Sequence, residues 1–248
     1  MNELHTKFAS EGLSVVGVTG ETQAQTDPWI EKHGAKYAYG YDKGMKLMSK
    51  VGAGGYPSAA LIDENGVLVW QGNPGALTDD IIRGVLPAAL DLPVWEWPES
   101  AAKARKMFVK GDIAKALEEA AKLGEDGAAV HTALQGVVTG KVAGLETLMK
   151  GGDWLAVEDR LELLDDALDG LPEHDQVEAA ADILKKDKVA QEILDAQKKV
   201  RKMLSGKIKK GQIPGIQKKL EKIASDLPRT AAARDAENGI RALRSKVR

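Results

Sequence analysis

Six acidic residues at positions 158, 159, 162, 165, 166 and 169 form the densest set of side chains in this sequence that could do acid–base work or hold a cation. Their spacing runs around a helix, and the glycine and closing glutamate of a calcium loop are missing, so they read as a solvated acidic face. Just downstream the sign reverses: positions 185–222 hold 13 Lys+Arg and 4 Asp+Glu, with no aromatic residue. Such a stretch could meet a polyanion or an anionic membrane, but it has no base-stacking platform and no interfacial anchor. It reads as an exposed helix face docked antiparallel on the acidic helices of the same chain, which argues against nucleic acid as a partner. Cysteine is absent, which excludes disulfides, thiolate nucleophiles and thiolate metal sites. His5, His33, His131 and His174 show no paired ligand spacing, and no Ser-His-Asp grouping stands out. No catalytic residue, metal or cofactor is assigned. Gly52, Gly54 and Gly55 lack the strand, glycine-rich turn and helix order of a phosphate loop and suit a turn before Pro57.

The elements that would position these residues fall into two kinds. With 248 residues, 43% hydrophobic and 29% charged, the chain can bury a core and predicts two domains. No apolar run reaches the roughly 18 residues of a membrane span. The opening Met1-Asn2-Glu3-Leu4-His5 does not read as an export signal. Asn2 to Glu11 reads as the end of a helix, with Leu4 and Phe8 on one face and Gly12 as its stop. Leu13 to Thr19 is a near-continuous apolar run that predicts a strand buried on both faces of a parallel sheet. Asp27-Pro28 predicts the start of a short helix over 28–33. Tyr37 to Tyr41 predicts an edge strand, and 44–51 a short helix. Runs 57–63 and 67–71 flank Glu64-Asn65-Gly66 and predict a hairpin. Thr78 caps a helix whose apolar face is Ile81, Ile82, Val85 and Leu86.

Pro87, Pro93 and Pro98, with Trp95 and Trp97, mark a change of composition, and the domain boundary is placed near residue 95. Beyond it the 3.6-residue period predicts helices near 99–109, 112–123, 127–149, 155–169, 175–205, 213–226 and 230–246. Gly-Asp-Ile at 111–113, Gly-Asp-Trp at 152–154 and Gly-Gln-Ile at 211–213 each open a helix, a helical-hairpin pattern too unevenly spaced for a regular solenoid.

The ordered set Gly12-Leu-Ser-Val-Val-Gly-Val-Thr19, Trp29-Ile-Glu-Lys-His33, Tyr39-Gly-Tyr-Asp42, Gly54-Gly-Tyr-Pro-Ser-Ala-Ala-Leu-Ile-Asp63, Asn65-Gly66 and Val69-Trp-Gln-Gly72 resembles the segment after the active site in TlpA-like and AhpC/TSA-type redoxins. The resemblance covers about residues 1–90. It implies an α/β class: a partial thioredoxin-like fold, truncated at its N-terminus, over 1–95, followed by an all-α helical domain over 96–248. It also implies that Pro57 is the cis-proline facing the redox cysteines and that Tyr56 presents its backbone to an extended substrate, which makes Tyr56 and Pro57 the candidate substrate-binding residues. A cis X-Pro bond is a tight, locked turn suited to that role, whereas in trans Pro57 would simply open a strand. The family's Cys-x-x-Cys and its preceding central strand would lie upstream of Met1.

Two readings follow. The first is a thiol–disulfide oxidoreductase of which this chain is a clipped, inactive version, family members being commonly exported. The second is a non-enzymatic module that binds a protein or peptide partner through the Tyr56–Pro57 groove and the helical domain. In the implied topology the missing strand would lie between the counterparts of 13–19 and 57–63. The two strands would then close up, leave a gap, or self-associate with a second molecule through their exposed edges.

Overall fold

The computed structural model describes residues 1–63, 66–86, 89–206 and 208–245, with backbone alone for Ser245. Helix α1 (Asn2–Phe8) runs on into a 3₁₀ turn over Ala9–Glu11 and stops at Gly12, whose φ of 99° favours a residue without Cβ. The Leu13 N–H donates to the Phe8 carbonyl at 3.0 Å, so Leu13 completes the helix end instead of entering a strand. Strand β1 is therefore Val16–Thr19, shorter than the predicted 13–19. It is also not buried on both faces, since Val16 is 46% and Val18 41% exposed. Among the described residues its one partner is β2 (Ala38–Tyr41), paired in parallel with Gly17 opposite Tyr39.

Helix α2 (Gln23–His33) begins five residues before the predicted 28–33. The Thr22 N–H and hydroxyl both donate to Gln25 Oε1, and this N-terminal box outcompetes the Asp27-Pro28 start. Pro28 then sits inside the helix, where it forgoes one bond to the Ala24 carbonyl. Helix α3 (Lys46–Lys50) follows β2. The predicted hairpin forms from β3 (Ala59–Ile62) and β4 (Leu68–Gly72), antiparallel with Leu61 opposite Trp70 and an irregularity between Leu61 and Ile62. Of its turn, Glu64 and Asn65 lie outside the described residues, as does Pro87 further on. The two pairs, β1-β2 and β3-β4, are separate sheets, so among the described residues β1 and β3 do not pair. Helix α4 (Asp79–Arg83) is tied to the α1 segment by ion pairs of Lys7 with Asp79 and of Arg83 with Glu11, and Phe8 and Ile82 are fully buried.

The Pro- and Trp-rich segment feeds into α5 (Ala102–Val109). Trp97 is buried, donates its indole N–H to the Leu92 carbonyl at 2.9 Å, and packs its ring 5.6 Å from that of Phe108. Helices α6 (Ile113–Ala121), α7 (Ala128–Lys150), α8 (Trp154–Leu168), α9 (His174–Lys186), α10 (Lys188–Leu204), α11 (Ile213–Asp226) and α12 (Ala231–Ser245) complete the chain. The last strand ends at Gly72, while the compact units are Met1–Gly140 and Lys141–Arg248, with α7 carrying the chain from one to the other.

Helix–helix turns recur with one geometry. At Gly111-Asp112 and Gly152-Asp153 the glycine has positive φ, and the aspartate N–H reaches back to the carbonyl of Met107 or Leu148. Its carboxylate then caps the next helix by accepting from the N–H of Lys115 or Ala156. Close approach fixes the α6–α7 turn as well: a Cβ on Gly127 would fall 2.2 Å from the Ala120 carbonyl oxygen.

The predicted single helix 175–205 is broken at Asp187, which closes α9 and caps α10 by accepting from the N–H of Val189 and Ala190. The acidic and basic stretches do meet, through Lys198–Glu158 and Arg201–Asp159 pairs. The direction is the reverse of the predicted antiparallel docking. Leu155 meets Gln197, Glu158 meets Lys198 and Asp159 meets Arg201, so the numbers rise together and α8 and α10 run parallel. The break at Asp187 frees α10 from the line of α9, so its direction is not tied to that of one long helix.

Candidate functional site

The loop bearing Tyr56 and Pro57 is anchored on both sides by backbone chemistry. On the upstream side Asp42 Oδ2 accepts from the N–H of Leu47 at 2.8 Å and Met48 at 3.1 Å, holding the start of α3. Partial burial pushes the Asp42 carboxyl up, but the N–H groups of Met48, Leu47 and Lys46 together outweigh this and leave it below the usual carboxylate range. Helix α3 closes through Gly52, at a φ of 72°, with the Ala53 N–H reaching the Met48 carbonyl at 3.0 Å. The Gln71 side chain of β4 donates to the Gly52 carbonyl, tying the loop to the hairpin. Between these anchors Tyr56 is 67% exposed, Pro57 is exposed, and the Tyr56–Pro57 peptide bond is cis. Among the described residues no hydrogen bond uses the Tyr56 backbone N–H or C=O. β3 begins two residues later and pairs with β4 on one side, leaving its other edge open among the described residues.

One constellation escaped the reading of the sequence. Tyr37 and Tyr39 stack at 5.3 Å, Trp29 of α2 meets Tyr39 edge-on at 6.2 Å, and the Trp29 and His33 rings lie 4.5 Å apart. Gly17 makes the room, since a Cβ there would lie 2.8 Å from Tyr39 Cε1 and 3.1 Å from Tyr37 Cε2. Burial, and then the hydrogen bond with Tyr37, hold the Tyr39 phenol well above its ordinary value, so it stays protonated and packs as a neutral ring. The alternation Tyr37-x-Tyr39-x-Tyr41 was the available signal, placing three rings on one strand face.

In the helical unit a shallow depression of about 400 Å³ includes Gln197, Arg201 and Asp235, but these groups are already engaged. Gln197 donates to Asp153 and Asp235, and Arg201 pairs with Asp159. The acids of α8 do not converge: among the described residues no three His, Asp or Glu side chains come together as a metal site requires. No helix there is long and apolar enough to cross a membrane.

Residues 1–71 match the AhpC/TSA family. The curated relatives found are thiol-disulfide oxidoreductases named ResA. Those of Bacillus thuringiensis (strain Al Hakam) and Bacillus anthracis are each 32% identical over 72 residues, which is 29% of this chain and 42% of theirs. That of Bacillus cereus is 29% identical over 70 residues, covering 28% of this chain and 40% of the relative. The chain thus spans about two-fifths of the length of the relatives it matches. No solved structure matches it significantly.

Proposed function

We propose that residues 1–95 are the later part of a thiol–disulfide oxidoreductase domain, that 96–248 form a separate helical domain, and that an upstream segment supplies the redox centre. The observation that carries this reading is the match of residues 1–71 to the AhpC/TSA family. Two further features support it. Disulfide exchange needs a thiolate to attack a disulfide sulfur and a second thiolate to resolve the mixed disulfide, and this chain holds no cysteine. β1 and β3 each also keep an edge that is unpaired among the described residues and open to a further strand. In this reading the exposed Tyr56 offers its backbone N–H and C=O, unused among the described residues, to an extended peptide, which adds to the site as a strand would. The similarity to ResA favours this reading over a purely non-enzymatic binding module.

Two measurements test it. The purified 248-residue chain is expected to show no turnover in an insulin-reduction assay, and dithiol-like turnover would sink the claim that the sulfur chemistry lies elsewhere. Sequencing the DNA upstream of the Met1 codon is expected to reveal an in-frame Cys-x-x-Cys preceded by an apolar strand. An in-frame stop codon directly upstream would overturn the reading.

A further inference from the structure

Charge in the Lys141–Arg248 unit is sorted by turn. Residues 158–178 hold nine acids and one base, while residues 198–210 hold seven bases and no acid. The first set spans the C-terminal part of α8, the turn after it and the start of α9. The second spans the C-terminal part of α10 and the connection to α11. Because α8 and α10 lie side by side and run parallel, both turns emerge at the same end of this unit. The internal pairs Lys198–Glu158 and Arg201–Asp159 use the inner members of each set. Further out, Asp166, Asp169 and Asp175 on one turn and Lys202, Lys209 and Lys210 on the other are exposed and make no ion pair among the described residues. Leu163, 51% exposed among the acids of α8, adds apolar area to this surface.

We propose that this end of the helical unit binds a second copy of the chain about a two-fold axis, each acidic turn meeting the partner copy's basic turn. Adjacent patches of opposite sign suit an isologous interface, because one rotation satisfies both contacts at once and closes the assembly at two. A polyanion suits the surface less: it would meet the acidic turn beside the basic one, and the chain has no aromatic residue after Trp154 to stack on bases. The contact rests on the helical unit alone and is independent of the oxidoreductase reading.

Sedimentation of the full 248-residue chain tests it. At low ionic strength a dimer is expected, with the association constant falling by roughly tenfold or more as salt is raised to about 1 M, where the Debye length is about 3 Å. The triple variants Lys202→Glu/Lys209→Glu/Lys210→Glu and Asp166→Lys/Asp169→Lys/Asp175→Lys should each be monomeric with unchanged helical circular dichroism. Mixed one to one, they should form a heterodimer, since every contact is again between opposite charges. A wild-type monomer at low salt overturns the proposal, as does a dimer indifferent to salt and to both variants, which would assign association to the strand edges. Growth into trimers and larger species would exclude the two-fold arrangement. Retention of single- or double-stranded DNA by the monomer, with no self-association, would replace the second copy with a nucleic acid.

Discussion

Gln197 is 1% exposed and holds three segments together. Its amide nitrogen donates to Asp153 Oδ1 and Asp235 Oδ2, each at 2.8 Å, and its oxygen accepts from the Leu155 N–H at 3.0 Å. Replacing it with leucine keeps the volume but strands a buried N–H and removes a donor from two carboxylates. An unsatisfied buried group costs about 1–3 kcal/mol, so Gln197→Leu should lower stability by about 2 kcal/mol, read as a shifted urea midpoint with an unchanged m-value. An unshifted midpoint would mean that water replaces the amide at no cost. Nothing in the sequence signals this residue. It is one polar position in an amphipathic helix, and its partners lie 38 to 44 residues away. The turn before β3 was legible for the opposite reason, because a Gly-Gly-Tyr-Pro-Ser run is a local pattern whose meaning depends on adjacent residues.

At the scale of elements, local signals served where no stronger neighbour competed with them. Gly12 and the two Gly-Asp turns mark helix ends because a positive φ favours glycine and a short acid caps the next helix. The Asp27-Pro28 start lost to the Thr22–Gln25 pair, in which the Gln25 side chain accepts from both the Thr22 N–H and its hydroxyl and fixes the first turn five residues earlier. Asp187 was invisible because Lys185-Lys186-Asp187-Lys188 contains no glycine or proline to punctuate it. Short α3 depends on Asp42 in a way that acid should reveal. The Asp42 carboxyl is held below its unfolded value, so its contribution is present above about pH 3.9 and is lost as pH falls through the lower, folded value. The amides of Leu47 and Met48 should therefore lose hydrogen-exchange protection as pH drops below about 4, after correction for intrinsic exchange. In Asp42→Asn that acid-dependent step should vanish. Protection that persists unchanged at acid pH would show that α3 stands without its carboxylate.

For the whole molecule, the two classes of architecture differ in how well they can hold themselves together. The Lys141–Arg248 unit packs α10 against α8 and α12, and α11 against α12, burying Leu164, Leu168, Val200, Leu220 and Leu243. The strands have no such support. Each sheet has two strands of four or five residues, and an isolated two-stranded pair is marginally stable in water. Every strand also carries an edge with unpaired N–H and C=O groups among the described residues, and Val16, Val18 and Ile62 remain exposed where a third strand and a covering layer would shield them. This is where the sequence misled about β1. Its apolar run is written for burial on both faces, and among the described residues β1 pairs on one side only, with Val16 and Val18 exposed. Native-state hydrogen exchange on the 248-residue chain should therefore separate the two classes: fast exchange across 16–19 and 59–62, and slow exchange in the buried turns of α8, α10 and α12. Supplying an upstream strand in an N-terminally extended protein should bring both strand pairs into the slow class without changing the helices. Strong protection across 16–19 and 59–62 in a clean monomer of the chain alone would mean that the sheets are complete as they stand, and the proposal of a central strand contributed from upstream would fall.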